Sequence, residues 1–295
     1  MKDVSYLLKG AVDLHVHAGP SVMPRELDGA EMLLKAEQSG YQAFVIKDHY
    51  FPTMMSASII EKHIGKGQVK VFGGIALNDA VGGLNVRAVD VACAMGAKFV
   101  WMPTISTNNH IVSHSHGLKF PSSQGMQLEE KPLVYVNEHG DLDSRVIAIL
   151  EYIAKTDMIL GTGHGCLAEV DALVQAARKI GVKKVLVNHP LYMIGASLTD
   201  IKRWAALGAY IELNATVFVP ESKFGVVSID KAVEVIQEVS LEQIVIDSDY
   251  GQKNNGCPVE GTQRFIELLV NQHGVKEEAI VKMVRDNPAQ LLGLA

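Results

Sequence analysis

The stretch "AVDLHVHAGPS", residues 11–21, sets the reading of the whole chain. Val12, Leu14 and Val16 are apolar, and Asp13, His15 and His17 alternate with them. Successive side chains of a strand point to opposite faces, so His15 and His17 point the same way, about 7 Å apart along the backbone. Two imidazoles so placed can converge on one metal ion. A pair of surface histidines on an edge strand would look the same over so few residues, so the rest of the chain must decide.

Seven more apolar runs follow: "AFVIKDHY" (43–50), "VKVFGGIALN" (69–78), "KFVWMPT" (98–104), "MILGTGHG" (158–165), "KVLVNHP" (184–190), "AYIELNAT" (209–216) and "IVIDSDYG" (244–251). They are too continuously apolar for half-buried strands and suit a parallel sheet covered on both faces. Helical patterns separate most of them, among them "DGAEMLLKAEQSG", with Asp28 as N-cap and Gly40 just past its end, "VRAVDVACAMGA", "SRVIAILEYIAKT", "LAEVDALVQAARKIG", "LTDIKRWAALG", "SIDKAVEVIQEV" and "EGTQRFIELLVNQHG". Repeated β–α units favour a parallel sheet, and eight strands are the count of a closed (β/α)8 barrel. An open doubly wound sheet is the alternative, but no G-x-G-x-x-G follows the first strand. The chain is therefore expected to be α/β, a distorted TIM-like barrel forming one domain over residues 1–295. Residues 105–142, rich in Ser and Gly and containing Pro121 and Pro132, read as an insertion after strand four, a cover for a site, with a small hairpin at "LVYVNEHGDL".

Composition narrows the function. The chain has 295 residues, 48% of them apolar, enough for a sizeable core. Its 27 basic and 33 acidic residues leave a net charge of −6 with no charged block, which gives no support for nucleic-acid or acidic-membrane binding. Three scattered cysteines, Cys93, Cys166 and Cys257, argue for a reducing compartment and against a cysteine zinc site. The N-terminal "MKDVSYLLKGAVDL" lacks the apolar core of a signal peptide, and no run reaches the length of a membrane span. A cytoplasmic protein is expected, acting on a small molecule and open to pairing as a homo-oligomer.

The unusual polar residues gather at strand ends. His15 and His17 close the first run, Lys47 and His49 the second, His164 the fifth, His189 the sixth, and Asp247 and Asp249 the eighth. In a barrel these C-terminal ends meet on one face, where active sites of this fold are built. Burying so many titratable groups together costs free energy unless something compensates, and a divalent cation compensates directly. Nitrogen and carboxylate ligands suit zinc, at roughly 2.0–2.2 Å, with manganese and iron as alternatives.

These residues resemble the amidohydrolase superfamily of metal-dependent hydrolases, in a subgroup of unassigned substrate. "DLHVHAG" is similar to its H-x-H after strand one. "GTGHG" and "VNHP" resemble its histidines after strands five and six, "IDSDYG" its aspartate after strand eight, and "DNPAQLLGL" (286–294) its closing helix. The resemblance spans residues 13–294. It implies a barrel that hydrolyses C–O, C–N or sometimes P–O bonds, with a minority of members catalysing decarboxylation or hydration. It implies that His15, His17 and Asp249 hold the principal metal, that His164 is a ligand, and that His189 is a ligand or orients substrate. It further implies that Asp249 takes the proton of the attacking water.

Two departures matter. Strand four ends "FVWMPT", without the lysine or glutamate that bridges two metals in many members, so one or two ions stay open. "IKDHY" adds a histidine after strand two. "KDHY" together with the early H-x-H resembles the polymerase-and-histidinol-phosphatase family, seven-stranded phosphoesterases with up to three metals, and this is the alternative enzyme. A barrel that binds metal without catalysis is the alternative outside enzymes.

From the residues themselves, His189 and His49 are placed to donate to a developing oxyanion, with Asp249 as acid and base. Lys47 reads first as a buried ion pair with Asp247 or Glu212, and second as a catalytic or carboxylated lysine that replaces the missing strand-four ligand at a further metal site. Asp247 is the alternative to Asp249 as ligand. Glu212 is expected behind the ligands and Asn214 nearer the mouth. Within the insertion, "NNHIVSHSHG" reads as a polar loop from which His110 is the candidate to reach the site, ahead of His114 and His116. No arginine sits at a strand end to mark an anionic substrate. Arg87 and Arg145, at helix starts, are the weak candidates.

Overall fold

Each of the eight apolar runs forms a strand in the computed structural model, which describes residues 2–117, 120 and 123–294. The strands are β1 (Val12–Val16), β2 (Ala43–Ile46), β3 (Lys70–Ala76), β4 (Phe99–Trp101), β5 (Ile159–Gly161), β6 (Val185–Val187), β7 (Tyr210–Asn214) and β8 (Ile244–Asp247). They pair in parallel in sequence order from β1 to β8. The ring closes just past the end of β8, where the Asp249 N–H donates to His15 O at 2.8 Å and the His17 N–H to Tyr250 O at 2.9 Å. This is the expected (β/α)8 barrel. Every residue of β1, β2, β4, β5, β6 and β8 is buried, as strands covered on both faces require.

The helices are α1 (Gly29–Ser39), α2 (Met54–His63), α3 (Val86–Ala94), α4 (Asn108–Ser115), α5 (Ser144–Ile153), α6 (Leu167–Ile180), α7 (Leu198–Ala206), α8 (Ala215–Phe218), α9 (Ile229–Glu238), α10 (Pro258–Asn271), α11 (Glu277–Val281) and α12 (Asn287–Leu292). The α1 boundaries show why these segments start and stop where they do. Asp28 accepts from the Glu31 N–H at 2.8 Å, and Glu31 reaches back to the Asp28 N–H at 2.9 Å. This reciprocal box satisfies two donors at the helix start, and Gly40 ends the helix in the left-handed region at φ 74°. None of the helices among the described residues is long and apolar enough to cross a membrane.

The barrel interior is floored by side chains. Val12 and Leu14 pack with Ala43, Val45, Phe99, Trp101, Ile159, Leu186 and Val245. Val16, by contrast, packs outward with the helix layer. A register shift lies between Asp13 and Val16 in the β1–β2 pairing. Strict alternation would have set His15 and His17 opposite Leu14; the bulge turns them inward above it, a common use of bulges beside active sites.

Residues 105–142 are less irregular than the sequence suggests. "NNHIVSHS" forms α4, capped by the Thr107 side chain, which accepts from the His110 N–H. The expected hairpin reduces to one antiparallel bridge, Val136 to Leu142, around a turn at Asn137–Gly140. Fully buried Tyr135 fastens the segment to the barrel, its hydroxyl lying 2.8 Å from Pro103 O and 2.9 Å from Thr162 O. Pro121 lies outside the described residues.

Candidate active site

Three acceptor atoms meet at the mouth of the barrel. His15 Nε2 lies 3.2 Å from Asp249 Oδ1, and His17 Nε2 lies 3.0 Å from the same oxygen. The far nitrogens fix the tautomers. His15 Nδ1 faces Glu212 Oε1 at 2.9 Å, and His17 Nδ1 faces the Lys47 carbonyl at 3.1 Å. Carboxylate and carbonyl oxygens only accept, so each Nδ1 carries the proton and each Nε2 presents a lone pair. Burial holds both rings neutral: it brings His15 down to about 4, with Lys47 adding to the effect, and pushes His17 well below its ordinary value. Two lone pairs thus converge on a carboxylate oxygen with no proton between them.

Such a cluster requires a cation. Lys47 supplies part of the compensation, its Nζ lying 3.0 Å from His15 Nε2 and 5.5 Å above the Trp101 ring. Among the described residues it makes neither of the ion pairs first expected for it, with Asp247 or Glu212, though both carboxylates act on it through space; its direct polar contact is with His15. His15, His189 and Asp249 lie close enough together to share a divalent ion, and His17 Nε2 adjoins them at the same Asp249 oxygen.

Glu212, from β7, organises the layer behind. It is fully buried, and its two oxygens take His15 Nδ1–H, Asn188 Nδ2–H at 2.8 Å, the His189 N–H at 2.9 Å and Asn214 Nδ2–H at 2.7 Å. Burial alone would raise its pKa, but His15, His189 and Lys47 outweigh it and keep the carboxylate ionised. Asn214 Nδ2 also lies 2.8 Å from His189 Nδ1. Because the contact with Glu212 makes that Nδ2 a donor, His189 Nδ1 accepts and its proton sits on Nε2. His189 thus differs from His15 and His17 in presenting an N–H. His189 and Asp249 both hold positive φ, 48° and 50°. Side chains are uncommon in that region, and such positions concentrate where geometry matters for function.

His49, His164 and His110 form the other wall. His49 Nδ1 meets Thr104 Oγ1 at 2.8 Å, and the His49 and His17 rings are 5.0 Å apart. His110, on α4, reaches His164, with the two Nδ1 atoms 3.1 Å apart. His164 Nε2 is buried with no hydrogen-bond partner among the described residues. His114 stacks on His110 from the exposed side, and His116 is exposed. Asp247 lies deeper than Asp249, and neither of its oxygens has a partner among the described residues. Burial, reinforced by Glu212, pushes its pKa well up. It shares a second cluster with His15 and Glu212.

One residue escaped the sequence reading. Arg25, in the loop after β1, lines the same pocket as His17, His49, His164, His189 and Asp249. Arg145 instead pairs with Asp143 on the surface, and Arg87 lies in a separate groove on the barrel flank. Nothing in the spacing of "GPSVMPRELD" marks Arg25. Its place comes from docking of this loop on the segment after β8, where the Glu26 N–H donates to Gly251 O at 2.8 Å and Arg25 bridges to Gln252.

At the level of fold, the chain matches an amidohydrolase from Pseudomonas aeruginosa at 14% identity and TM-score 0.63, over 98% of this chain and 97% of that one. It matches a lactonase from Listeria monocytogenes at 12% identity and TM-score 0.59, over 98% and 96%. It also matches a 2,6-dihydroxybenzoate decarboxylase from Rhizobium at 12% identity and TM-score 0.56, over 97% and 99%. The resemblance to amidohydrolases thus holds for the architecture. A search of curated proteins returns no match. By sequence, the chain belongs to a family of unknown function, DUF6282, whose model covers residues 10–212. That span includes every histidine of the site but stops short of Asp249.

Proposed function

We propose that this protein is a metal-dependent hydrolase that uses water to cleave an ester, lactone or amide bond of a small molecule. The supporting observation is the convergence of the His15 and His17 lone pairs on Asp249 Oδ1, with both tautomers set by acceptors behind them. His15, His17 and Asp249 would hold the ion, with His164 Nε2 to complete the set, and zinc is the expected metal. Bound there, a divalent ion would supply an activated water, its pKa brought towards about 7, and polarisation of a substrate carbonyl. Asp249 accepts the proton of the attacking water and returns it to the leaving group. His189 Nε2–H donates to the developing oxyanion, with His49 on the opposite wall. Residues 105–142 act as a cover that brings His110 against His164, within a single domain of 295 residues.

The phosphoesterase alternative loses ground on two observations. The barrel has eight strands. Both oxygens of Asp48 in "KDHY" face partners outside the histidine cluster, one accepting from the Tyr50 and Phe51 N–H groups and the other 3.4 Å from Arg25 Nη2.

Elemental analysis of protein purified without added metal tests the proposal. About one ion per chain is expected, lost in a His15→Ala/His17→Ala variant that stays folded. A wild type that takes up no zinc, manganese or iron, even when loaded, would refute it. Turnover is then sought first on esters and lactones, with Asp249→Asn as the inactive control.

A further inference from the structure

Arg25 is a buried cation that the proposed hydrolytic chemistry does not use. Its side chain is 3% exposed, and it lines the pocket. Nη2 lies 3.4 Å from Asp48 Oδ2 and 3.5 Å from Ser21 Oγ, both long contacts. Nε and Nη1 are buried and have no hydrogen-bond partner among the described residues. Three of the five guanidinium N–H bonds are therefore left over. An unpaired buried donor is costly, more so on a charged group, and a structural arginine would be expected to spend them all. The loop that carries it is fixed by the Glu26 and Gln252 contacts to the segment after β8, so the group is held in place before any ligand arrives.

The surroundings select the ligand. Lys47 is engaged with His15, and Asp48 reaches the guanidinium only through one long contact to Nη2. The one positive charge of Arg25 is shared with Asp48 through that single long contact, so it suits at most one further negative charge, and a planar guanidinium matches a carboxylate. A phosphate dianion would call for further cations. Phe120, Met193, Val217 and Phe224 supply apolar walls to the same pocket.

We infer that Arg25 is the anchor for a carboxylate on the substrate, which is then a small carboxylic acid with an apolar body carrying the bond to be cleaved. This rests on the reading of the pocket as the reaction site. Arg25 is a substrate-binding residue that fixes which end of the molecule faces Asp249.

Calorimetric titration tests this with benzoate, neutral benzamide and inorganic phosphate as probes, on protein both as purified and metal-loaded. Wild type is expected to bind benzoate at least about 30-fold more tightly than Arg25→Met, with benzamide indifferent to the substitution. Equal benzoate affinity in the two proteins would overturn the inference. So would phosphate binding through Arg25 more tightly than benzoate, which would move the ligand to a phosphoester. Should Arg25→Met not fold, the wild type decides alone: benzoate must raise its Tm and matched benzamide must not, and equal shifts or none refute the assignment. Metal content of the same samples separates this from the hydrolase reading. A protein without metal that still binds benzoate through Arg25 retires the hydrolase and keeps the carboxylate site. A metal-loaded protein whose benzoate affinity ignores Arg25 does the reverse.

Discussion

Four donors end on Glu212, and through His15 Nδ1 it decides that His15 Nε2 is a lone pair. A carboxylate behind a ligating imidazole raises its basicity and fixes its ring. Glu212→Gln is therefore expected to weaken metal binding about 10–100-fold, measured by competition with a chromogenic chelator. Lys47→Met separates the two readings of that lysine. If the ammonium only fills charge beside His15, the variant keeps its metal and binds it at least as tightly. If Lys47 is itself a ligand, elemental analysis will show a loss. At this scale the sequence was informative where strand geometry speaks: His17, His49, His164, His189 and Asp249 do line one pocket, with His15 against Asp249. It was silent on tautomers, on the direction of Lys47 and on Arg25, because each depends on a partner distant in the chain.

Among elements, the strands were legible and the connections were not. A parallel strand buried on both faces is a continuous apolar run, a signal that needs no partner to be seen. Helix α4 hid because "NNHIVSHS" is polar and weakly amphipathic; its cap at Thr107 and its dock on His164 hold it. Helix α2 hid for a related reason, since Met55 and Ile59 lie exposed and blur its apolar stripe. The β1 bulge was invisible too, since a run of alternating residues does not disclose where alternation breaks. The closest backbone approach at the site is at Gly251, with φ 110°, where an added Cβ would lie 1.8 Å from His17 O. Gly251→Ala combines a strained backbone with a clash against backbone that cannot turn aside. It is expected to cost at least about 2 kcal/mol, read by denaturant unfolding, and to lower metal affinity through His17.

For the whole molecule, pH is the informative variable. Unfolded imidazoles protonate near 6.5, whereas in the fold His15 does so at about 4 and His110 at about 3, with burial the main cause. Burial pushes His17, His49 and His164 down as well. Below pH 6.5 the unfolded chain thus binds more protons, and stability falls as the pH drops from about 6.5 towards 4. Asp13, raised by burial to about 7, and Asp247 work the other way, being protonated in the fold where the unfolded chain is ionised. Five histidines against two carboxylates leave the histidines dominant. Tm measured in buffers from pH 7.5 to 4.5 is expected to fall on acidification, more steeply with metal bound because protons compete for the same lone pairs. A flat or rising profile would contradict the neutral, lone-pair state on which the metal site depends.

The seam between the first and last strands has a consequence for how the protein comes into being. His15 and His17 are made near the start of synthesis, and the oxygen they share arrives more than two hundred residues later, on Asp249. No early fragment contains the centre, and the slowest contact to find by diffusion is the one that completes it. Metal capture would then certify that the last strand has taken its place: an ion binding tightly to the finished ring and weakly to anything shorter acts as a clasp, drawing the population towards closed barrels by mass action.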